Sequence, residues 1–120
     1  MSAARVQASS ARTQALLWLA QRASAAVLAL CVLVHLATMI HAVRGGLSAA
    51  EIFSRTHGNA AWLAFYALFA LAVAVHAPIG LRALCREWLG WRGASLDRVL
   101  LALALAFVFL GWRAAWAVYA

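Results

Sequence analysis

The chain has 120 residues, of which 68% are hydrophobic and 11% charged, and its formal net charge is +7. A soluble domain is usually about 45–50% apolar, so this composition excludes an ordinary soluble protein and leaves little room for a soluble catalytic module. The positive charge comes from ten arginines, which flank apolar stretches; their placement favours an anionic membrane surface over nucleic acid as the partner.

The first predicted element is a membrane-spanning helix over residues 15–43, preceded by a basic tail of residues 1–14. About 20 predominantly apolar residues are enough to cross the hydrocarbon layer, and this segment is longer than that. Arg44 is followed by Gly45 and Gly46, and a glycine pair commonly ends a helix. The first span is therefore expected to stop at this point.

A short connection and two further spans follow. Residues 47–59 are polar enough for a loop or a helix at the membrane surface, and Ser48 stands three residues before Glu51, the spacing of a capping box. Residues 60–85 and 96–119 are again long and apolar. The sequence thus predicts a single all-α membrane domain over residues 1–120, with three transmembrane helices in an up-down-up bundle.

The arginines predict the orientation of this bundle. Three arginines flank one end of the spans, and seven flank the other, namely Arg5, Arg12, Arg22, Arg82, Arg86, Arg92 and Arg98. By the positive-inside rule the N-terminus is cytoplasmic. The expected location is the inner membrane of a bacterium, in preference to the mitochondrial inner membrane, where the matrix would be the corresponding side.

His76 is the strongest candidate for chemistry, because it lies deep in the second span and ionisable residues inside a membrane are usually functional. A neutral imidazole is the usual axial ligand of b-type haem iron. Gly80 lies one turn further on, where a missing side chain would let the backbone approach a flat macrocycle. The structural alternative is a histidine hydrogen-bonded between helices above a packing glycine.

His35 is the other deeply placed histidine. It stands 13 residues after Arg22, or about 20 Å, and His76 stands 11 residues before Glu87, or about 16 Å, so the two could share a level in the bilayer. A second axial ligand could therefore be His35 of the same chain or His76 of another chain. Neither spacing nor depth separates these alternatives.

Polar residues also gather near the cytoplasmic ends of the first two spans. Gln21, Arg22 and Ser24 form a cluster rich in hydrogen-bond donors, suited to a haem propionate or a quinone carbonyl. Glu87 and Trp88 are expected at the same surface and could complete such a pocket. The alternative for Arg22 is an ordinary arginine that extends to the headgroups.

These segments resemble the signature of the membrane anchor subunits of succinate:quinone oxidoreductases. That signature has a histidine, three residues, a glycine, one residue and often an arginine, then an acidic residue eleven places after the histidine and an aromatic one next. His76, Gly80, Arg82, Glu87 and Trp88 occupy those places. The run of residues 21–24 resembles a His-Arg-x-Ser element of the first span, which ends near the quinone and a propionate.

The resemblance implies haem b held through His76, with Gly80 and Arg82 beside it, and quinone at Arg22, Ser24, Glu87 and Trp88. Three departures stand out. Gln21 replaces a common histidine, Trp18 stands where some relatives have a serine that contacts quinone, and Trp88 replaces a tyrosine that bonds quinone in some members.

The function implied is that of a non-catalytic subunit, which passes electrons between an iron–sulfur/flavoprotein dehydrogenase (succinate dehydrogenase or fumarate reductase) and membrane quinone. Its expected partners are the iron–sulfur subunit, the flavoprotein subunit, and either a second anchor subunit or a second copy of this chain. One alternative is a cytochrome b anchor for a different flavoprotein dehydrogenase. Another is a haem-free scaffold or transporter subunit, although Glu51, Glu87 and Asp97 all lie near membrane surfaces and supply no mid-membrane carboxylate.

Overall fold

The chain is almost entirely helical. A computed structural model describes residues 2–120; Met1, the first residue of the predicted tail, lies outside them. Helix accounts for 88% of the protein, in the order α1 (Ala3–Arg44), α2 (Ala49–Thr56), α3 (Ala60–Trp88) and α4 (Ala94–Tyr119). Three of these helices, α1, α3 and α4, are long and apolar enough to cross a membrane. The predicted three-span helical architecture is therefore confirmed.

Helix α1 is longer than the predicted span of residues 15–43, because it continues without a break into the basic tail. Its 42 residues extend about 63 Å, twice the hydrocarbon thickness of about 30 Å. The helix ends at Arg44, and Gly46 in the following turn has a φ of 64°. Glycine adopts this left-handed backbone at little cost, which explains why the chain turns here.

The connection after α1 contains the surface helix α2. The N–H of Glu51 donates to the Ser48 hydroxyl at 3.2 Å, and the Ser48 N–H donates to the Glu51 carboxylate at 2.6 Å, so the predicted capping box is confirmed. The bonds to Ser48 hold the pKa of the Glu51 carboxyl below its ordinary value. The Gly58 N–H donates to the Tyr119 carbonyl at 2.8 Å, which ties this connection to the end of α4.

Helix α3 is the middle helix, with α1 on one side and α4 on the other. On the α4 side, Gly111 approaches Ala70 so closely that any side chain at Gly111 would collide with it. Towards the other end of the same contact, Arg82 of α3 pairs with Asp97 of α4 at 3.1 Å. These two pairs show that α3 and α4 run antiparallel.

Most of the surface of each span faces outward. Large apolar side chains on α1 and α4 are more than half exposed, among them Leu30, Leu33, Val43, Leu101 and Leu105. A continuous apolar surface of this kind needs lipid or another protein to cover it. The exposed surface therefore agrees with a helix row embedded in a bilayer.

Candidate functional site

The candidate site lies along the contact between α1 and α3. The residues of α1 that face α3 recur every three or four positions and include Gln21, Ser24, Cys31, His35 and Thr38. A matching stripe on α3 includes Tyr66, Phe69, His76 and Gly80. This spacing places side chains on one face of a helix. Because His35 meets Tyr66 and Gln21 meets Gly80, the two helices run antiparallel.

His76 lies in this stripe with an unsatisfied ring nitrogen. Its Nδ1 is buried and has no hydrogen-bond partner among residues 2–120, whereas Nε2 is not buried in this way. Pro78 follows two residues later inside α3, where it removes a backbone hydrogen bond to the carbonyl of Ala74. The sequence placed His76 deep in the span, and the structure adds that its buried Nδ1 accepts or donates no hydrogen bond within residues 2–120.

Gly80 faces Gln21 across the contact. If Gly80 carried a Cβ, that atom would lie 3.3 Å from Nε2 of Gln21, the end of a flexible side chain. The amide oxygen of Gln21, Oε1, is itself buried without a partner. The Gln21 amide therefore covers the side of Gly80 that lacks a side chain, and its acceptor oxygen is unused.

His35 is in a different condition, because aromatic neighbours surround it. Its Nδ1 lies 3.5 Å from the Tyr66 hydroxyl, a long hydrogen bond. The rings of Tyr66 and Phe69 each meet the imidazole edge-on, with centroids 5.9 Å away. Sequence analysis did not single out Tyr66, although its place in the stripe of α3 was a signal that could have revealed the contact.

The two histidines do not share a level in the bilayer, so that expectation is wrong. Gln21 is opposite Gly80, and His35 is opposite the turn from Tyr66 to Phe69. Counted in this register, His76 lies about ten residues of α1 away from His35, or about 15 Å along the helix axis. His35 and His76 of one chain are therefore not placed to grip one iron atom from opposite sides.

The cluster predicted around Arg22 is split between two faces of α1. Ser24 is buried towards α3, and its hydroxyl donates to the Gln21 carbonyl at 3.1 Å. Arg22 is exposed on the outside, where its guanidinium lies 5.2 Å from the ring centroid of Trp18. A cation over an indole ring is attracted by the ring's electrons. Within one chain, these residues do not form a single pocket.

Glu87 and Trp88 lie at the end of α3 and are exposed, with 81% of Trp88 accessible. In the register of the α1–α3 contact, Arg22 is opposite residue 79, so the end of α3 is about 13 Å further along the axis. The chain alone does not close a pocket between Arg22 and these two residues.

Arg82 lies on α3 between the level of Arg22 and the end of the helix at Trp88. It pairs with Asp97 across the α3–α4 contact. Arg82 and Arg86 also line an open cleft of about 410 Å³ against α1, near Ser10 and Gln14. Another cleft of about 410 Å³ lies at the opposite end, between α1, α2 and α3, with Trp62 on its wall. None of the predicted site residues lines that second cleft.

Within residues 2–120, no three histidine, cysteine, aspartate or glutamate side chains are grouped so as to hold a bare metal ion. A search of curated proteins finds no match to this chain, and a search of solved structures finds none either. The family model described as succinate dehydrogenase/fumarate reductase transmembrane subunit matches residues 3–112, which run from the first turn of α1 into α4. Because this match covers nearly the whole chain, the protein belongs to the family of succinate dehydrogenase/fumarate reductase transmembrane subunits.

Proposed function

We propose that this chain is a haem b-binding anchor, which passes electrons between an iron–sulfur/flavoprotein dehydrogenase and membrane quinone. The dehydrogenase would be a succinate dehydrogenase or a fumarate reductase. One observation carries the proposal: His76 stands inside a span with a buried Nδ1 that has no partner. A polar atom left unsatisfied within a membrane is costly, and its retention supports a role beyond packing.

The residues around His76 suit a b-type haem. One ring nitrogen is buried, which leaves Nε2 for iron, and Gly80 keeps one turn of α3 free of a side chain. Arg22 and Arg82 would supply positive charge for the propionates. Bound haem would supply a one-electron carrier inside the membrane; the chain's own part is to hold the iron through His76 and to exclude water with its apolar spans.

A second histidine to hold the haem iron would come from another chain. Within this chain His35 lies about 15 Å from the level of His76 along α1, too far for both to hold one iron atom. A second copy of this chain, or a different anchor subunit, would bring a histidine to the open side of His76. Pairing of this kind would also cover part of the exposed apolar surface.

The quinone would bind where this chain meets its soluble partners. Four side chains point outward near the end of the bundle that carries most of the arginines. They are Arg22, which lies over the ring of Trp18, together with Glu87 and Trp88. A quinone carbonyl needs such hydrogen-bond donors beside an apolar wall. The iron–sulfur and flavoprotein subunits would dock on this end, which the positive-inside rule favours as the cytoplasmic side of a bacterial inner membrane.

A visible spectrum of the complex purified from its native membranes tests the haem assignment. After dithionite reduction we expect the band of a low-spin b-type haem, and we expect His76→Ala to abolish it or alter it severely. His57→Ala is the matched control, because His57 is exposed in the connection after α2. A wild-type complex without the band would refute the proposal, as would a band that survives His76→Ala.

The substrate of the complex is tested separately by the subunits that co-purify. We expect an iron–sulfur protein and a flavoprotein, together with succinate:quinone or quinol:fumarate activity. A different flavoprotein in the same haem-containing complex would contradict that part of the proposal while leaving the haem assignment intact.

A further inference from the structure

Two buried polar atoms on the α1–α3 contact lack partners: Nδ1 of His76 and Oε1 of Gln21. They belong to the same stretch of that contact, because the Gln21 amide rests against Gly80, one helical turn from His76. A carboxamide oxygen only accepts hydrogen bonds, and a protonated ring nitrogen only donates them. The two unsatisfied atoms are therefore complementary in chemistry.

We infer that Gln21 is a positioning residue for His76: Oε1 of Gln21 accepts a hydrogen bond from the Nδ1–H of His76 when Nε2 holds the haem iron. This inference rests on the proposed function, since it concerns the imidazole in its ligating state. It gives a role to a residue at which the chain departs from the histidine common in the family it resembles.

The Gln21 amide and the His76 ring are neighbours along the α1–α3 contact. Cβ positions four residues apart on a helix are separated by about 5–6 Å, which is the step from His76 to Gly80. The Gln21 Nε2 atom lies 3.3 Å from the Cβ position of Gly80. Rotation about the last side-chain torsion, which is broad and nearly two-fold, exchanges the amide nitrogen and oxygen without moving α1.

Ligation explains why an acceptor is needed. A neutral imidazole carries one proton, so when Nε2 binds iron that proton must sit on Nδ1. Ligating histidines almost always donate this second N–H, and the bond makes the ring a stronger base. A more basic ligand stabilises oxidised iron, so the hydrogen bond from Nδ1–H lowers the midpoint potential of the haem.

Two other acceptors compete with Gln21. Ser24 is buried at nearly the level of His76, and its hydroxyl donates to the Gln21 carbonyl at 3.1 Å, which leaves the oxygen lone pairs free; Ser24 is therefore the rival acceptor that the experiment must separate. The backbone carbonyl of Ala72, four residues before His76, already accepts the helical hydrogen bond from the His76 N–H. Gln21 Oε1 is the acceptor with nothing else to bind.

A redox titration of the haem in the purified complex tests the inference with three variants. Gln21→Met keeps the length of the side chain but removes the strong acceptor, and we expect a more positive midpoint potential. Gln21→Glu supplies a stronger acceptor, and we expect a more negative one. Ser24→Ala removes the rival hydroxyl, and we expect it to shift the potential less than Gln21→Met does. A purely structural role of Gln21 would give no positive shift with Gln21→Met; the carboxylate of Gln21→Glu would lower the potential by its charge as well as by its hydrogen bond.

Several outcomes would overturn the inference. If the haem of Gln21→Met has the same midpoint potential as the wild type, Gln21 is not the acceptor. If Ser24→Ala shifts the potential as much as Gln21→Met does, the acceptor is Ser24. If Gln21→Met binds too little haem for a titration, Gln21→Glu is used instead. A midpoint potential equal to that of the wild type in Gln21→Glu would also contradict the inference. A wild-type complex without haem overturns the proposed function too, whereas a haem-containing complex indifferent to Gln21 overturns the inference alone.

Discussion

The two faces of α3 are built differently. Towards α4 the helix presents small residues, and Gly111 meets Ala70 with no room for even a methyl group. Towards α1 it presents Tyr66 and His76, and the Gln21 side chain that reaches this face leaves its amide oxygen unpaired. One helix therefore carries a closely packed contact on one side and an incompletely satisfied polar contact on the other.

This difference separates packing from function. Inside a membrane, helices associate mainly through close van der Waals contact between small residues, and the α3–α4 face has this form. Unsatisfied polar atoms lower stability, so they persist where another role requires them. Substitutions on the α4 face should therefore act on stability, and substitutions around His76 should act on haem.

The largest effect is expected for His76→Leu. Haem per protein should fall to background, while the stability of the haem-free protein should be unchanged or slightly raised, because the variant removes a buried polar atom that has no partner. Haem content and unfolding in mixed SDS micelles measure the two quantities. A loss of stability in the haem-free protein would mean that His76 also packs or bonds within the chain.

Next in size is a matched pair of glycine substitutions. Gly111→Ala should destabilise the bundle by about 1–3 kcal/mol, because the added methyl meets Ala70. Gly80→Ala should be nearly neutral, because it meets only the flexible end of Gln21 and gains helix propensity of about 0.5–1 kcal/mol. The same unfolding assay compares them, and equal losses would remove the distinction between the two faces.

A smaller effect is expected at His35. Tyr66→Phe removes the hydroxyl that bonds Nδ1 of His35 and should cost about 0.6 kcal/mol, the average for hydrogen bonds between membrane helices. The haem spectrum should not change. A shifted spectrum would indicate that His35 acts on the cofactor after all.

The smallest effect is expected at the ion pair of Arg82 and Asp97. Their side chains are 39% and 51% exposed, so water and salt screen the attraction. Asp97→Asn should cost less than about 0.5 kcal/mol, and raising the salt concentration should erase the difference from wild type. A large loss of unfolding free energy that persists at high salt would mean that this pair contributes to the closely packed α3–α4 contact.

The spans could be predicted from sequence because they depend on local signals. Apolar length, the glycine pair after Arg44, and the spacing of Ser48 and Glu51 each act over a few residues, and the structure has the three helices and the capping box. The candidate site depends on contacts between residues that are far apart in sequence. His76 was recognisable because an ionisable residue in a long apolar run is conspicuous without any knowledge of its neighbours.

The register between α1 and α3 could not be predicted in the same way. Measuring depth from Arg22 and Glu87 assumed that these residues stand at one level, whereas Arg22 is opposite residue 79. Side-chain packing sets the register, and Gly80 against Gln21 is a contact between residues far apart in sequence. For the same reason the outward turn of Arg22 away from Ser24 became visible only when the side of α1 that packs on α3 was known.

The uninterrupted length of α1 has a mechanical consequence. Its 42 residues are twice what the hydrocarbon requires, and the cylinder has no proline or glycine between Ala3 and Arg44 at which it could flex. Residues 3–14 and Gln21 therefore belong to one continuous, rigid helix. A protein that binds residues 3–14 would therefore also fix the orientation of the Gln21 side chain relative to α3.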